Sequence, residues 1–350
     1  ELLCRNAGDH FYLLLACADE DSVRRRLTDM LAELERRLSP QFAFEQVRFA
    51  QGAYLIQERD ADFILLTDRA KAASAYAQGD DHCQFYDDAM GKRLEREHAL
   101  EVSFQSAIEN HEFRLYIQPK VQPGQGTASG GEVLVRWQHP AFGLLFPGEF
   151  IPLFERDGKI CDLDFYMFEE TCRLLKSWLA EGRAIPLSVN LSRAHLISND
   201  FAFLDRFKAI KDRYEIPDGF IELELTESLM LERRDIRLVT AMIDRIREMG
   251  FLCSIDDFGF GYSSLALLKD LNVTAVKLDR QFFLDENEKS WLVVEQLIRL
   301  AHSLDMTVVA EGIEEQAQVE QLYARGCDLV QGYVYAKPLP ASDFACWSGQ

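Results

Sequence analysis

The sequence predicts an α/β protein whose strands form a parallel sheet, closed as a barrel or doubly wound. Two observations carry this. From about residue 112 to the end of the chain, a short apolar strand, a polar strand end, a loop and a helix recur. With 350 residues, 48% of them hydrophobic and 27% charged, the chain has the balance of a globular protein and the length of two domains.

The first block, about residues 1–85, reads strand, helix, strand, helix. Phe11–Cys17 is a short apolar run after a turn at Gly8 and Asp9. Ser22 is expected to cap a helix running to about Leu38, which Pro40 ends. Phe42–Ile56 alternates loosely as one or two strands, and a helix from about Ala61 to Ala77 stops near Gly79. Asp87 through Asn110 is a charged helical pattern whose sparse apolar side is Leu94, Val102, Ala107 and Ile108, and it reads as a connecting helix.

Beyond it the expected strands are Phe113–Gln118, Gly131–Arg136, Leu187–Asn190, Ile221–Thr226, Phe251–Ile255, Ala275–Leu278, Val308–Ala310 and Leu329–Gly332. Helical patterns lie between most of them, at Phe165–Ala180, Leu238–Met249, Trp291–Leu304 and Glu315–Arg325 among others. The connection from Gln118 to Gly131 has no room for a helix, so the first two strands are expected to form a hairpin and to break the regular plan.

Charge and composition exclude several functions. A formal net charge of −20 without a basic stripe argues against a nucleic-acid polymer as partner. A small anionic substrate stays compatible if metal ions reverse the local field. The longest apolar runs, such as Phe11–Ala16, are far shorter than the ~18 residues of a membrane span, and no signal peptide is visible. The chain opens on Glu1, so a fragment of a longer protein is expected, whose remainder could carry a membrane anchor or sensor. The eight cysteines form no C-x-x-C pair and read as free thiols in a reducing cytoplasm, and the seven histidines show no metal-ligand spacing.

The chemistry collects at the strand ends. Glu132 lies early in the second strand and Asn190 ends the third, while Glu224 and Glu227 close the fourth. Asp256 and Asp257 end the fifth, Lys277 and Asp279 the sixth, Glu311 the seventh and Gln331 the eighth. In a β/α barrel those ends meet at one mouth. Alternation along Ile221–Glu227 puts Glu224 opposite the aliphatic Ile221, Leu223 and Leu225, and Lys277 shares a face with Asp279. Carboxylates converging there repel each other unless cations compensate them, and an oxygen-rich set suits magnesium or manganese. Two such ions about 3.5–4 Å apart activate a water and clamp a phosphodiester. Asp256 and Asp257 are suited to serve neighbouring ions, and Lys277 to orient the water or neutralise phosphate charge. Taken singly, Glu222 and Glu224 read as the wet face of an edge strand, and Asp256-Asp257 before Gly259 and Gly261 as a turn. Polar groups at nearly every strand end outweigh those separate readings.

At these residues the chain resembles the EAL-domain family of bacterial cyclic di-GMP phosphodiesterases. The resemblance covers nearly all of 100–340: YIQPK at 116–120, EVLVRW at 132–137, GEFIPLFE at 148–155, SVNLS at 188–192, ELTES at 224–228, DDFGFGYSSL at 256–265, VKLD at 276–279, AEGIEE at 310–315 and QGY at 331–333. It implies a TIM-like (β/α) barrel with an irregular, antiparallel first strand over 111–350, which opens cyclic di-GMP to linear pGpG with two divalent cations, Mg2+ or Mn2+. It implies that Glu132, Asn190, Glu224 and Asp256 hold one metal, with Asp256 shared with a second near Asp257 and Glu311. Lys277 would support the nucleophilic water, Glu227 would fix the loop that begins at Asp257, and Glu314 and Gln331 would complete the site. Gln118, Leu134, Arg136 and Asp279 match positions that hold the dinucleotide, and Arg136 suits a phosphate as a planar fork. A homodimer through the barrel follows from the same resemblance.

Two positions depart from the family pattern. Val133 adds two methyls where alanine is usual, which removes no ligand, and Phe260 replaces a small or hydroxylated loop residue, which bears on rate and regulation. Residues 1–86 resemble the second half of a GGDEF (diguanylate cyclase) domain, joined through a connecting helix at 87–110. Arg5-Asn6-Ala7-Gly8-Asp9-His10-Phe11 stands at its signature, with Ala7 replacing a glycine and His10 the glutamate, so a small α/β remnant without synthase activity is expected. Against hydrolysis stands a receptor that binds cyclic di-GMP uncut and signals to a protein partner, or a purely structural module. The presence of every acid together with Lys277 favours hydrolysis.

Overall fold

A computed structural model describes residues 1–5, 10–17, 19–38, 50–57, 62–77, 83–196, 201–227, 236–259, 268–284 and 287–347. The chain divides into two compact units, 1–102 and 103–350.

In the first unit, strands β1 (Leu2–Arg5) and β2 (Phe11–Leu14) form an antiparallel hairpin, and β3 (Gln51–Ala53) pairs parallel with β4 (Cys83–Phe85). Helices α1 (Glu20–Leu38) and α2 (Phe63–Ser74) lie between them in sequence. Ser22 does not cap α1. Asp19 does: its Oδ1 accepts from the Ser22 N–H at 2.8 Å while the Ser22 hydroxyl accepts from the Asp19 N–H at 3.2 Å, so Ser22 is the third-position partner of the cap. The core here is small, built on Val23, Leu27 and Cys83 with Leu15, Met30 and Phe85 against it. The strand expected within Phe42–Ile56 is described only for its last part, β3, and most of the signature at 5–11 lies outside the described residues. Helix α3 (Asp88–Glu109) carries the chain into the second unit.

The second unit is the predicted barrel. Its staves are β5 (Phe113–Val121), β6 (Ala128–His139), β8 (Leu187–Asn190), β9 (Ile221–Thr226), β10 (Leu252–Phe258), β11 (Ala275–Leu278), β12 (Thr307–Ala310) and β13 (Leu329–Val330). Two short strands join its rim antiparallel, β7 (Gly143–Leu145) on β6 and β14 (Leu339–Pro340) on β5. Strands β6 and β8–β13 run parallel, whereas β5 is antiparallel to both β6 and β13 and closes the ring. The reversal follows from length, because the link 122–127 is too short for a parallel crossover. Helices α4 (Pro147–Arg156), α5 (Ile160–Ala180), α6 (Ala202–Arg213), α7 (Ile236–Glu248), α8 (Glu288–Ser303), α9 (Gln316–Ala324) and α10 (Ala341–Cys346) follow along the chain. The second strand is twice the expected length, and Gln331 lies just past β13 rather than inside it.

Strand alternation separates structure from chemistry. One set of side chains, Leu187, Val189, Ile221, Leu223, Leu225, Cys253, Ile255, Val276, Leu278, Val308 and Ala310, is buried and apolar. Helices present matching stripes, for example Val239, Met242, Ile243 and Ile246 on α7 at three- and four-residue spacing. Each large aliphatic chain so buried contributes roughly 1.5–3 kcal/mol. An aromatic cluster of Phe104, Phe113, Trp137, Phe150 and Phe154 fixes β5, β6 and α4 together, and the Trp137 indole N–H donates to Glu112 Oε2 at 2.9 Å. The alternate set on the strands is polar and holds Glu132, Glu224, Asp256 and Lys277.

Candidate active site

Lys277, in β11, is fully buried at 0% exposure, and four carboxylates surround its ammonium. Glu224 Oε2 lies 2.6 Å from Nζ, Glu311 Oε1 2.7 Å, Asp256 Oδ1 3.0 Å and Glu132 Oε2 3.4 Å. An ammonium has three protons, so four acceptors cannot all be served. Glu311 Oε1, although close, lacks hydrogen-bond geometry to any donor among the described residues, and the buried Gln331 Oε1 also has none.

Around this cation the remaining partners are side chains from other strands. Glu132 Oε1 accepts from the Asn190 amide at 2.9 Å, and Glu132 Oε2 from the Gln331 amide at 2.6 Å. Gln331 also donates to Gln118 Oε1 at 3.2 Å, and Gln118 donates to the Ala336 carbonyl. Glu224 Oε1 is held by Lys120 at 2.8 Å, and Lys120 reaches Glu222 Oε2 at 2.9 Å.

Charge balance is unfavourable without a further cation. Burial raises the Glu132 carboxyl, and Glu224 adds to it against Lys277. Burial likewise drives Glu311 well above the carboxylate range despite Lys277. Glu224 alone goes down, to about 2, because Lys120 and Lys277 on its two oxygens overcome its burial. Lys277 goes up, the surrounding acids outweighing its own desolvation. Thus two lysines hold Glu224 ionised while Glu132 and Glu311 are forced toward the neutral form.

Asp256 and Asp257 sit where β10 bulges between Ile255 and Phe258. Asp257 takes a left-handed backbone, φ 54°, and Gly259 follows at φ 95°. For a non-glycine residue this conformation costs about 1–3 kcal/mol and persists because the surroundings impose it. The Asp257 N–H donates to Asp256 Oδ1 at 2.9 Å, and Glu227 Oε2 accepts from the Gly259 N–H at 2.6 Å. The buried Glu227 thereby ties the turn after Asp257 to the end of β9. Burial, then the Asp256 and Asp279 charges, push the Asp257 carboxyl up to about 6. A side chain at Gly259 would meet the Phe282 ring 2.2 Å from its Cβ. Gly259→Ala is therefore expected to cost about 1–3 kcal/mol in urea unfolding, and to lower any activity that needs Asp257 in place.

The donor set fits a hard divalent cation. Carboxylate oxygens of Asp256, Asp257 and Glu311 lie within 4.8 Å of one another, a span that one ion with oxygen ligands at about 2.0–2.6 Å can bridge. The two buried acceptors without donors and the excess of acids point the same way.

The structure gathers most of the predicted residues and leaves some aside. Glu132, Asn190, Glu224, Asp256, Lys277, Glu311, Gln331 and Gln118 form one connected network, with Asp257 beside it. Leu134 and Arg136 lie on the Glu132 face of β6, toward the rim. The Arg136 guanidinium is buried beside the Tyr116 ring (5.5 Å) and the Phe146 ring (5.0 Å), with no carboxylate partner among the described residues. Asp279 is half-buried and caps the turn Arg280–Phe283 through the Gln281 N–H. Glu314 is exposed, and no bond joins its carboxylate to the network among the described residues; its backbone N–H donates to Gln318. Val133 is buried on the face opposite Glu132, in register with Ile117, so its methyls do not enter the mouth. Phe260 lies outside the described residues. Sequence reasoning gave no role to Lys120 or to Tyr116 and Phe146. Alternation along β5, which puts Tyr116, Gln118 and Lys120 on one face, was the available signal for the first two.

An eight-stranded (β/α) barrel with one reversed strand and an acid-lined mouth at the strand ends is the class that this fold and site define. More narrowly, the chain belongs to the EAL domain family, whose model matches residues 101–338. It is similar to the bifunctional diguanylate cyclase/cyclic di-GMP phosphodiesterase MucR of Pseudomonas aeruginosa, 30% identical over 97% of this chain and 50% of that protein. It is also 34% identical to the cyclic di-GMP phosphodiesterase NbdA of the same organism, over 75% of this chain and 34% of NbdA. Among solved structures, the PaMucR phosphodiesterase in complex with c-di-GMP superposes with a TM-score of 0.65 at 35% identity, covering 70% of this chain and 99% of that one. The chain spans about half the length of the curated relatives it matches.

Proposed function

We propose that the barrel hydrolyses cyclic di-GMP to linear 5′-pGpG. One observation carries this reading: Glu132, Glu224, Asp256 and Glu311 surround Lys277 at the barrel mouth, with Asn190 bonded to Glu132 and Asp257 beside Asp256 and Glu311. Family membership and the phosphodiesterase names of MucR and NbdA support it.

In this reading Glu132, Asn190, Glu224 and Asp256 hold one divalent cation, and Asp256, Asp257 and Glu311 a second, Mg2+ or Mn2+. When bound, such ions would supply a water nucleophile at neutral pH and charge neutralisation for the phosphodiester. Lys277 would orient the attacking water and stabilise developing negative charge, a role suited to a cation kept charged by its neighbours. Glu227 holds Asp257 in its strained turn. Gln118, Leu134, Arg136, Asp279 and Gln331 face the dinucleotide, and Glu314 completes the site when substrate is present. Arg136 is a buried cation without a carboxylate partner among the described residues, which suits a phosphate site. Arg136→Ala is expected to raise KM about tenfold or more with a smaller change in kcat, since a charge-assisted hydrogen bond is worth about 1.5–3 kcal/mol.

The deciding experiment is chromatography of cyclic di-GMP incubated with the purified chain and Mn2+ or Mg2+. Appearance of pGpG supports hydrolysis. Tight binding of intact cyclic di-GMP without product would instead establish a receptor that signals to a protein partner. The reading extends to a homodimer through the barrel, expected in sedimentation at assay concentrations, and to a cytoplasmic reaction. No helix among the described residues is long and apolar enough to cross a membrane. Residues 1–86 are read as a partial GGDEF-like block without synthase activity, on the substitutions Ala7 and His10, followed by the connecting helix at 87–110 and the barrel from 111.

A further inference from the structure

We propose that Lys120 is a positioning residue of the metal site, one that fixes the carboxylate plane of Glu224 from beneath. The inference rests on the metal-binding reading above. Lys120 is 3% exposed and projects from β5 across the barrel interior to β9, three staves away around the ring. There it donates to Glu222 Oε2 at 2.9 Å and to Glu224 Oε1 at 2.8 Å. These two glutamates stand two residues apart on one strand face, so a single ammonium bridges them. The second oxygen of Glu224 is the one 2.6 Å from Lys277.

The terminal torsion of a glutamate is broad, so a carboxylate at a metal site needs outside partners to hold one orientation. Glu224 has such a partner in Lys120, which takes the lower oxygen and leaves the upper one for the mouth. Glu222 in turn holds Lys120, so the order Glu222, Lys120, Glu224, Lys277 runs up the barrel as alternating charges. A cavity of about 140 Å³, lined by Lys120, Ser188, Glu222, Ala275, Thr307 and Leu329 among others, opens beside the lysine and leaves room for a longer side chain.

A role confined to charge balance predicts the opposite result to a positioning role. Deleting a nearby positive charge draws a divalent cation in more strongly, whereas releasing a ligand from its orientation weakens the ion's grip. The test is calorimetric titration of Mn2+ into the whole chain as wild type, Lys120→Met and Lys120→Arg, with thermal melting to confirm folding. Mn2+ affinity is expected to fall about tenfold or more in Lys120→Met, and by a smaller factor in Lys120→Arg, which keeps the charge and changes its geometry. Unchanged or tighter Mn2+ binding in Lys120→Met overturns the proposal. If Lys120→Met does not fold, Lys120→Arg decides: weaker binding supports positioning, and wild-type affinity overturns it. A wild-type chain that binds no Mn2+ would defeat the metal-site reading itself, which is distinct from a wild type that binds and variants that match it.

Discussion

Glu132→Ala should abolish turnover of cyclic di-GMP, to below about a thousandth of the wild-type rate, equivalent to roughly 4 kcal/mol of transition-state stabilisation. Glu132 is the junction of the site: one oxygen accepts from Asn190, and the other accepts from Gln331 and faces Lys277. Its loss releases both amides and, on the proposed reading, removes a metal ligand. The fold should survive, because burial and Glu224 already disfavour the ionised carboxylate. The measurement is steady-state production of pGpG at saturating Mn2+, with circular dichroism of the same preparation. Residual activity above a few per cent of wild type would show that Glu132 is not a ligand.

The second large effect is at Lys277. Lys277→Met should depress kcat about a thousandfold, while binding of cyclic di-GMP in the presence of metal stays within about threefold of wild type. An unchanged rate would refute its role toward the water. A stability effect should accompany this. Without Lys277 four carboxylates lose their common cation, three of them buried and Glu311 half-buried, and breaking a buried ion pair costs about 3–5 kcal/mol.

The pH dependence of that loss has a definite sign. Glu132 and Glu311 already sit above their ordinary value of 4.5, and removal of Lys277 raises them further, so the folded variant binds more protons than the unfolded chain. Its stability therefore falls as pH rises from about 4.5 through the raised values, and recovers on acidification. Thermal melts of the metal-free variant across pH 4.5–8 measure this. Added Mn2+ should restore much of the loss at neutral pH by mass action on the folded state. A melting temperature that is flat with pH and indifferent to Mn2+ would contradict the charge accounting.

The sequence by itself determined which residue types reach the mouth. Period-two alternation in Ile221–Thr226 and Ala275–Leu278 separated Glu224 and Lys277 from their aliphatic neighbours, although the fold buries both sets alike. The short link after β5 likewise announced the reversed strand, because chain length forbids a crossover there. Composition, with a net charge of −20 and no basic stripe, also argued against a polyanion partner.

Tertiary structure decided the rest. That Lys120 reaches Glu224 depends on β5 and β9 facing each other across a closed ring, a relation between residues 104 positions apart that no local pattern encodes. The same holds for the stack of Tyr116, Arg136 and Phe146, and for Glu227 gripping Gly259 across a strained turn. Glu314 is exposed, its backbone N–H donating to Gln318, so its carboxylate takes no part in the buried network that ring closure assembles. Alternation and turn chemistry act over a few residues and can be read along a chain, whereas ring closure fixes which side chains share one desolvated space, and that sharing sets both the charge balance and the chemistry.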